Sequence, residues 1–214
     1  MKNTVNLLIL ILSSQTFALA QDLKHVTTRI NGLKESYFVY KTDKSIKEGV
    51  YTLVYDKDTL IKGCYKSNKA VGVWNIKANK KELELSYDYD SSLVKYYKFP
   101  GDEKTVYDNI NRPPICMIGF NNLKLITVLK SKYPKDFEPI GPLQIKTKVG
   151  FTIDSKGIPS NFHILESSSM IEFDKQAYDQ VKEAVENEKW LPALDKTNNP
   201  VPYDLEIVLG FMIQ

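Results

Sequence analysis

"KVGFTIDSKGIPSNFHILESSS", Lys148 to Ser169, is the stretch whose reading decides the fold. Val149, Phe151 and Ile153 fall on one side of an extended segment, with Lys148, Thr152 and Asp154 on the other. That period of two belongs to a half-buried strand. Asp154-Ser155-Lys156-Gly157 has turn chemistry, because Asp bonds back to the backbone and Gly takes positive φ without strain. Phe162 and Ile164 then carry a second strand. Further on, Ala177, Val181, Ala184 and Val185 share one helical face with Tyr178, Asp174 is placed to cap that helix, and its end is expected near Asn187. A loop with Trp190 and Pro192 leads to "PYDLEIVLGFMI", where Leu205, Ile207, Leu209 and Phe211 alternate with Glu206, Val208, Gly210 and Met212. The order predicts a three-stranded antiparallel sheet covered by one amphipathic helix, an α+β arrangement.

Working outward, Tyr37 to Lys98 reads as a series of short strands. Tyr51, Leu53 and Tyr55 share a face, and Leu83 and Leu85 repeat the spacing with Glu82, Glu84 and Ser86 opposite. The polar breaks "DKD", "KSNK" and "ANKK" supply turns, so this half predicts an antiparallel meander with one wet face. Phe99 to Phe120 is punctuated by "PG", "DN" and "PP" and reads as a connector ending in a short strand at Ile115 to Ile118. Leu123, Ile126, Thr127 and Lys130 then have helical spacing, and the helix must stop before Pro134.

The 214-residue chain opens with Lys2, an apolar run from Val5 to Leu12 and Ala18-Leu19-Ala20 before Gln21. That is the layout of a secretory signal peptide over residues 1–20, which predicts a periplasmic or secreted protein with no membrane span in the mature chain. The net charge of +3 is spread among acidic residues rather than gathered in a stripe, which gives no case for a nucleic-acid partner. Cys64 and Cys116 are the 2 cysteines, and export permits a disulfide between them, the alternative being two buried small hydrophobes. Only 2 histidines are present, His25 and His163, and no ligand spacing suggests a metal or cofactor. His163 with Ser160 or Ser167 and Asp154 is the one local cluster with the residue types of nucleophilic catalysis. Its place between Phe162 and Ile164 turns its ring to the opposite, wet face, so no catalytic residue is expected.

Two resemblances follow. Gly63, Tyr65, Asn68, Lys69, Gly72 and Trp74 in "IKGCYKSNKAVGVWNIK" resemble the membrane-occupation-and-recognition-nexus (MORN) repeat, without its usual Gly between Asn68 and Lys69. Tyr133-Pro134, Gly141, Val149, Phe151, Ile153, Gly157, Ser167, Ser168, Ala177, Val181, Trp190, Pro192, Ala193, Pro200, Val201 and Phe211 follow the order of the C-terminal domain of TonB-type energy transducers, which Leu123 to Gln214 resembles. Together they imply a MORN-like β-hairpin repeat domain with connector over 21–120 and a TonB C-terminal-like domain over 121–214.

In the transducers this domain grips a segment of an outer-membrane receptor by adding it as a strand beside the last strand. Carried onto this chain, the resemblance implies an envelope-protein partner on the edge formed by Tyr203, Leu205, Glu206, Ile207, Val208, Leu209 and Phe211, or a homodimer through it. The chain departs from a working transducer: no uncleaved spanning helix and no long proline-rich linker precede the domain. The expectation is therefore a non-catalytic binding module without direct energy transduction. The alternatives are a transducer-like component of TonB-dependent transport and a structural protein binding a surface, lipid or glycan through Tyr87, Tyr89, Tyr96 and Tyr97.

Overall fold

The computed structural model describes residues 22–78, 82–101, 106–107, 111–134, 137 and 143–213; the leader expected over residues 1–20, and Gly141, lie outside them. Seven strands follow one another as an antiparallel meander: β1 (Leu23–Ile30), β2 (Leu33–Tyr40), β3 (Lys47–Tyr55), β4 (Asp58–Lys66), β5 (Lys69–Ala78), β6 (Glu82–Asp88) and β7 (Leu93–Tyr97). Their spatial order is their chain order. At the β4–β5 hairpin Ser67 and Asn68 both take positive φ (48° and 67°), the conformation that matches strand twist in a two-residue loop.

The second half has the arrangement that the sequence suggests. β9 (Leu143–Ile153) lies between β10 (Pro159–Glu166) and β14 (Tyr203–Ile213), both antiparallel to it. The turn after β9 is held by Asp154, whose Oδ1 accepts the N–H groups of Lys156 and Ile158 (both 2.8 Å), and Gly157 sits at φ 81°. Val149, Phe151, Ile153, Leu205, Ile207, Leu209 and Phe211 form the covered face of the sheet. On it lies α2 (Ile171–Glu186), which buries Phe173, Ala177, Val181 and Val185. Asp174 does not cap by position, since it lies within the first turn. It instead accepts from Ser167 Oγ, Ser168 N–H, Ser168 Oγ and Thr147 Oγ1 at 2.5 to 2.8 Å, fixing the approach to the helix.

The halves are stitched together twice. Arg112 to Met117 runs antiparallel to Lys189 to Leu194, through β8 (Ile115–Cys116) against β11 (Trp190–Leu191) and flanking bonds such as Leu194 N–H to Arg112 O (2.8 Å). The expected strand over Ile115 to Ile118 is thus only two residues long. A further two-residue pair, β12 (Ala193–Leu194) with β13 (Pro200–Val201), closes the loop before β14. The second stitch is α1 (Phe120–Lys130). Phe120 and Leu123 belong to the core under β9 and β14, whereas Leu125, Ile126 and Leu129 pack on the core of the meander.

Two expectations about the meander need correction. Glu84 was expected on the wet face, opposite Leu85. It is 1% exposed, because the register slips between Ile76↔Leu85 and Lys77↔Leu83 and leaves Glu84 as the extra residue of a β-bulge. The bulge turns it toward Gly119 at the start of α1, where its carboxylate accepts the N–H groups of Phe120 (2.5 Å) and Asn121 (3.4 Å). It supplies from another strand the cap that α1 lacks, since no side chain caps the helix locally. The Cys64–Cys116 disulfide is also corrected, as both thiols are free. Strand alternation sets Cys64 on the face of β4 opposite Tyr65, while Cys116 is buried in the other core.

Candidate functional site

β14 is the outer strand of its sheet, and the direction of its free backbone groups follows from one bond at the turn. The N–H of Asp154 donates to Ile158 O, on the β10 side of β9 (3.0 Å). Successive residues of an antiparallel strand face opposite neighbours, so the even-numbered residues of β9 address β10 and the odd-numbered ones address β14. The β9–β14 register runs unbroken from Tyr203↔Ile153 to Ile213↔Leu143. Odd-numbered residues of β14 therefore bond to β9, and Asp204, Glu206, Val208, Gly210 and Met212 turn their N–H and C=O groups to the open side. Side chains alternate as well: Leu205, Ile207, Leu209 and Phe211 are buried, whereas Glu206 and Val208 are exposed.

Two of the other strand edges, β10 and β7, are broken or short where this one is regular. β10 begins with Pro159 and carries two bulges, one at Asn161 with φ 52°. β7 is five residues long and is continued by an isolated bridge from Tyr97 to Tyr107. β1 is regular, but most of its side chains are exposed and rest on little core. β14 alone among these edges combines eleven residues, unbroken register and a packed apolar face.

The surroundings of the edge are mixed in character. Phe99, Phe120 and Lys124 stand beside its first half, around an open cleft of about 530 Å³ that reaches from Tyr203 to Val208. Phe99 packs edge-on against Tyr203, with ring centres 6.3 Å apart, and Tyr133 lies against Phe211 at 5.7 Å. On the outer face Lys148 Nζ bridges Glu166 (2.5 Å) and Glu206 (3.5 Å) across all three strands, and Thr152 Oγ1 donates to Asp204 (2.7 Å). Hydrogen bonding to Glu166 raises the Lys148 ammonium above its usual range, so this cross-strand link stays charged through neutral pH.

The residues of the conceivable catalytic cluster are not brought together. Asp154 is committed to its turn and Ser167 donates to Asp174. His163 is exposed on the outer face, with Nδ1 2.8 Å from the Asn161 carbonyl and its ring laid over Gly150. A Cβ at Gly150 would meet that ring at 2.9 Å, so the glycine serves the packing of His163. Among the described residues no group of three or more His, Cys, Asp or Glu is placed to hold a metal ion.

The tyrosines of the meander are mostly internal. Tyr87 and Tyr97 are buried, and Tyr89 and Tyr96 are half-buried. Trp74 stacks on Tyr51 (5.3 Å) and meets Tyr65 and Tyr89 edge-on (5.1 and 5.6 Å), while its indole N–H donates to Cys64 O (3.2 Å). Gly63 lies directly beneath the Trp74 ring, which explains the glycine at that position. The Gly-x-aromatic spacing here builds a core rather than an exposed aromatic patch. No family model matches the chain, and neither a curated protein nor a solved structure matches it significantly.

Proposed function

We propose that this chain is a non-catalytic protein-binding module of the bacterial cell envelope, periplasmic or secreted, that takes an extended segment of a partner protein along the open edge of β14. The observation that carries the reading is the unbroken outer edge of β14: among the described residues, Asp204, Glu206, Val208 and Gly210 present backbone donors and acceptors beside a fully packed apolar face. Added strands draw affinity from such groups and selectivity from alternate side chains. Here the selecting features are exposed Val208, the acidic pair Asp204 and Glu206, and the Phe99–Phe120–Lys124 wall. The resemblance of Leu123 to Gln214 to the recognition domain of TonB-type transducers supports the same edge and an envelope partner. The internal packing of Tyr87 and Tyr97 favours this edge over an aromatic surface for lipid or glycan.

Val208→Pro is the matched test. It removes an N–H that points outward and leaves the bonds to β9 intact, so the fold survives. Envelope proteins captured by the wild type are to be compared with those captured by the variant, after circular dichroism and thermal melting have shown both to be folded. Loss of one specific protein, with crosslinks from position 208 to an extended segment of it, is the expected result. An unchanged set of partners refutes the proposal, and a concentration-dependent dimer abolished by the same substitution replaces the envelope partner with a second copy.

A further inference from the structure

Away from β14, two hollows adjoin where the first hairpin of the meander, α1 and the end of α2 meet. One of about 240 Å³ is walled by Leu33, Tyr51, Leu53 and Ile61, and one of about 400 Å³ by Thr127, Gln180 and Ala184. They share Ile30, Ile126, Lys130 and Glu188 as a common wall. Together they have the size and the mainly apolar lining of a small-molecule site.

The carboxylate of this wall has no protein donor within hydrogen-bond reach among the described residues. Among the described residues the half-buried Glu188 carboxylate has no hydrogen bond or close ion pair, and Lys130 acts on it only through space. Gln180 Oε1 is buried without a partner, its orientation set by Nε2 donating to Lys132 O (2.9 Å). The amide oxygen is sealed from the groove by its burial, whereas the half-buried carboxylate is open to a donor from a ligand. The other carboxylate of the narrower hollow, Glu35, is already engaged by Lys47 (3.5 Å) and Thr28 (3.3 Å).

We propose that this groove is a binding site for an alkylammonium ligand, a primary amine on an aliphatic chain. The ammonium, with three donors and no acceptor, lies at the shared wall and donates to Glu188. The chain lies in the narrower hollow against Leu33, Leu53 and Ile61, and the Tyr51 ring offers an aromatic face to the cation. Lys130 opposes the ligand, being a like charge on the same wall.

The ionisable groups facing Glu188 are Glu35 from β2, Tyr51 from β3, Tyr65 from β4, Tyr89 after β6, Cys116 from β8, Lys130 from α1, and Lys132 and Glu183 on the wider hollow; burial keeps the Cys116 thiol protonated. Burial raises all three tyrosines, so they stay neutral through physiological pH. Burial also lifts Glu188 to about 7, so the ligand binds more weakly as pH falls through neutrality.

The probe is n-hexylammonium, titrated into the protein by calorimetry at pH 8, with hexanoate and hexanol as comparison compounds. Saturable binding of one hexylammonium is expected, weakened at least about tenfold in Glu188→Gln, as for loss of a charge-assisted bond, and strengthened in Lys130→Gln. Glu188→Gln removes a half-buried charge that no described protein group pairs and so leaves folding intact, which a melting curve verifies. Absence of saturable binding, equal binding to Glu188→Gln, or a preference for hexanoate that Lys130→Gln abolishes would each overturn the proposal.

Discussion

The cap that β6 supplies to α1 has a measurable cost. Glu84 is 1% exposed, and burial pushes its carboxyl from 4.5 to about 7 despite the Phe120 and Asn121 amides and nearby Lys124, all of which favour the anion. The folded protein therefore keeps a proton on Glu84 over a range where the unfolded chain has released it. Stability is fully present below about pH 4.5, declines as pH rises toward 7, and levels off beyond. The drop is on the order of 3 kcal/mol from the displacement of the carboxyl, at 1.36 kcal/mol per decade. Glu188 is displaced in the same direction, so the measurement belongs in a Glu188→Gln background. Urea unfolding at pH 5 and pH 8 should show a loss with Glu84 present and a flat response once Glu84→Gln is added, at unchanged m-value. A slope that survives Glu84→Gln refutes the assignment. Below pH 4 the sign reverses through Asp174. Its hydrogen bonds from Ser167, Thr147 and Ser168 outweigh its desolvation and hold it at about 2, so stability falls as acid protonates it.

Gly63→Ala should destabilise the protein by about 1–3 kcal/mol, the usual cost of overpacking, because the new Cβ would sit 2.1 Å from the Trp74 ring. A lowered melting temperature checks this, and an unchanged one would mean that the ring is free to move. Thiol titration without reductant should find both cysteines free, with Cys64 reacting in the folded protein and Cys116 only after denaturation; a chain lacking free thiols would contradict the separation of the two residues onto different layers.

Much of the second half was legible because its signals are local. The Asp154–Gly157 turn, the alternation in β9 and β14, and the α2 stripe each lie within a few residues. What escaped depends on distant partners. The burial of Glu84 follows from a one-residue slip against β5, which no spacing within β6 reveals. α1 was visible as a short helix, but not as one shared by two cores. Its apolar residues on more than one face, Phe120 and Leu123 against Leu125, Ile126 and Leu129, were the available hint. The edge at β14 was placed by resemblance, and its backbone direction needed the Asp154 bond. The groove at Glu188 brings together residues from β2, β3, α1 and α2, and no stretch of sequence contains it.

The unbroken pairing of β14 with β9 also has a mechanical side. Because the strands are antiparallel and Leu143 pairs with Ile213, tension applied between those two residues opens the ladder rung by rung from one end. Tension between Ile213 and the opposite end of β9 instead strains every rung at once, and all must give together. The same eleven pairs are thus weak to peeling and strong to sliding, so the direction of a tug, as much as the number of bonds, decides whether the sheet holds.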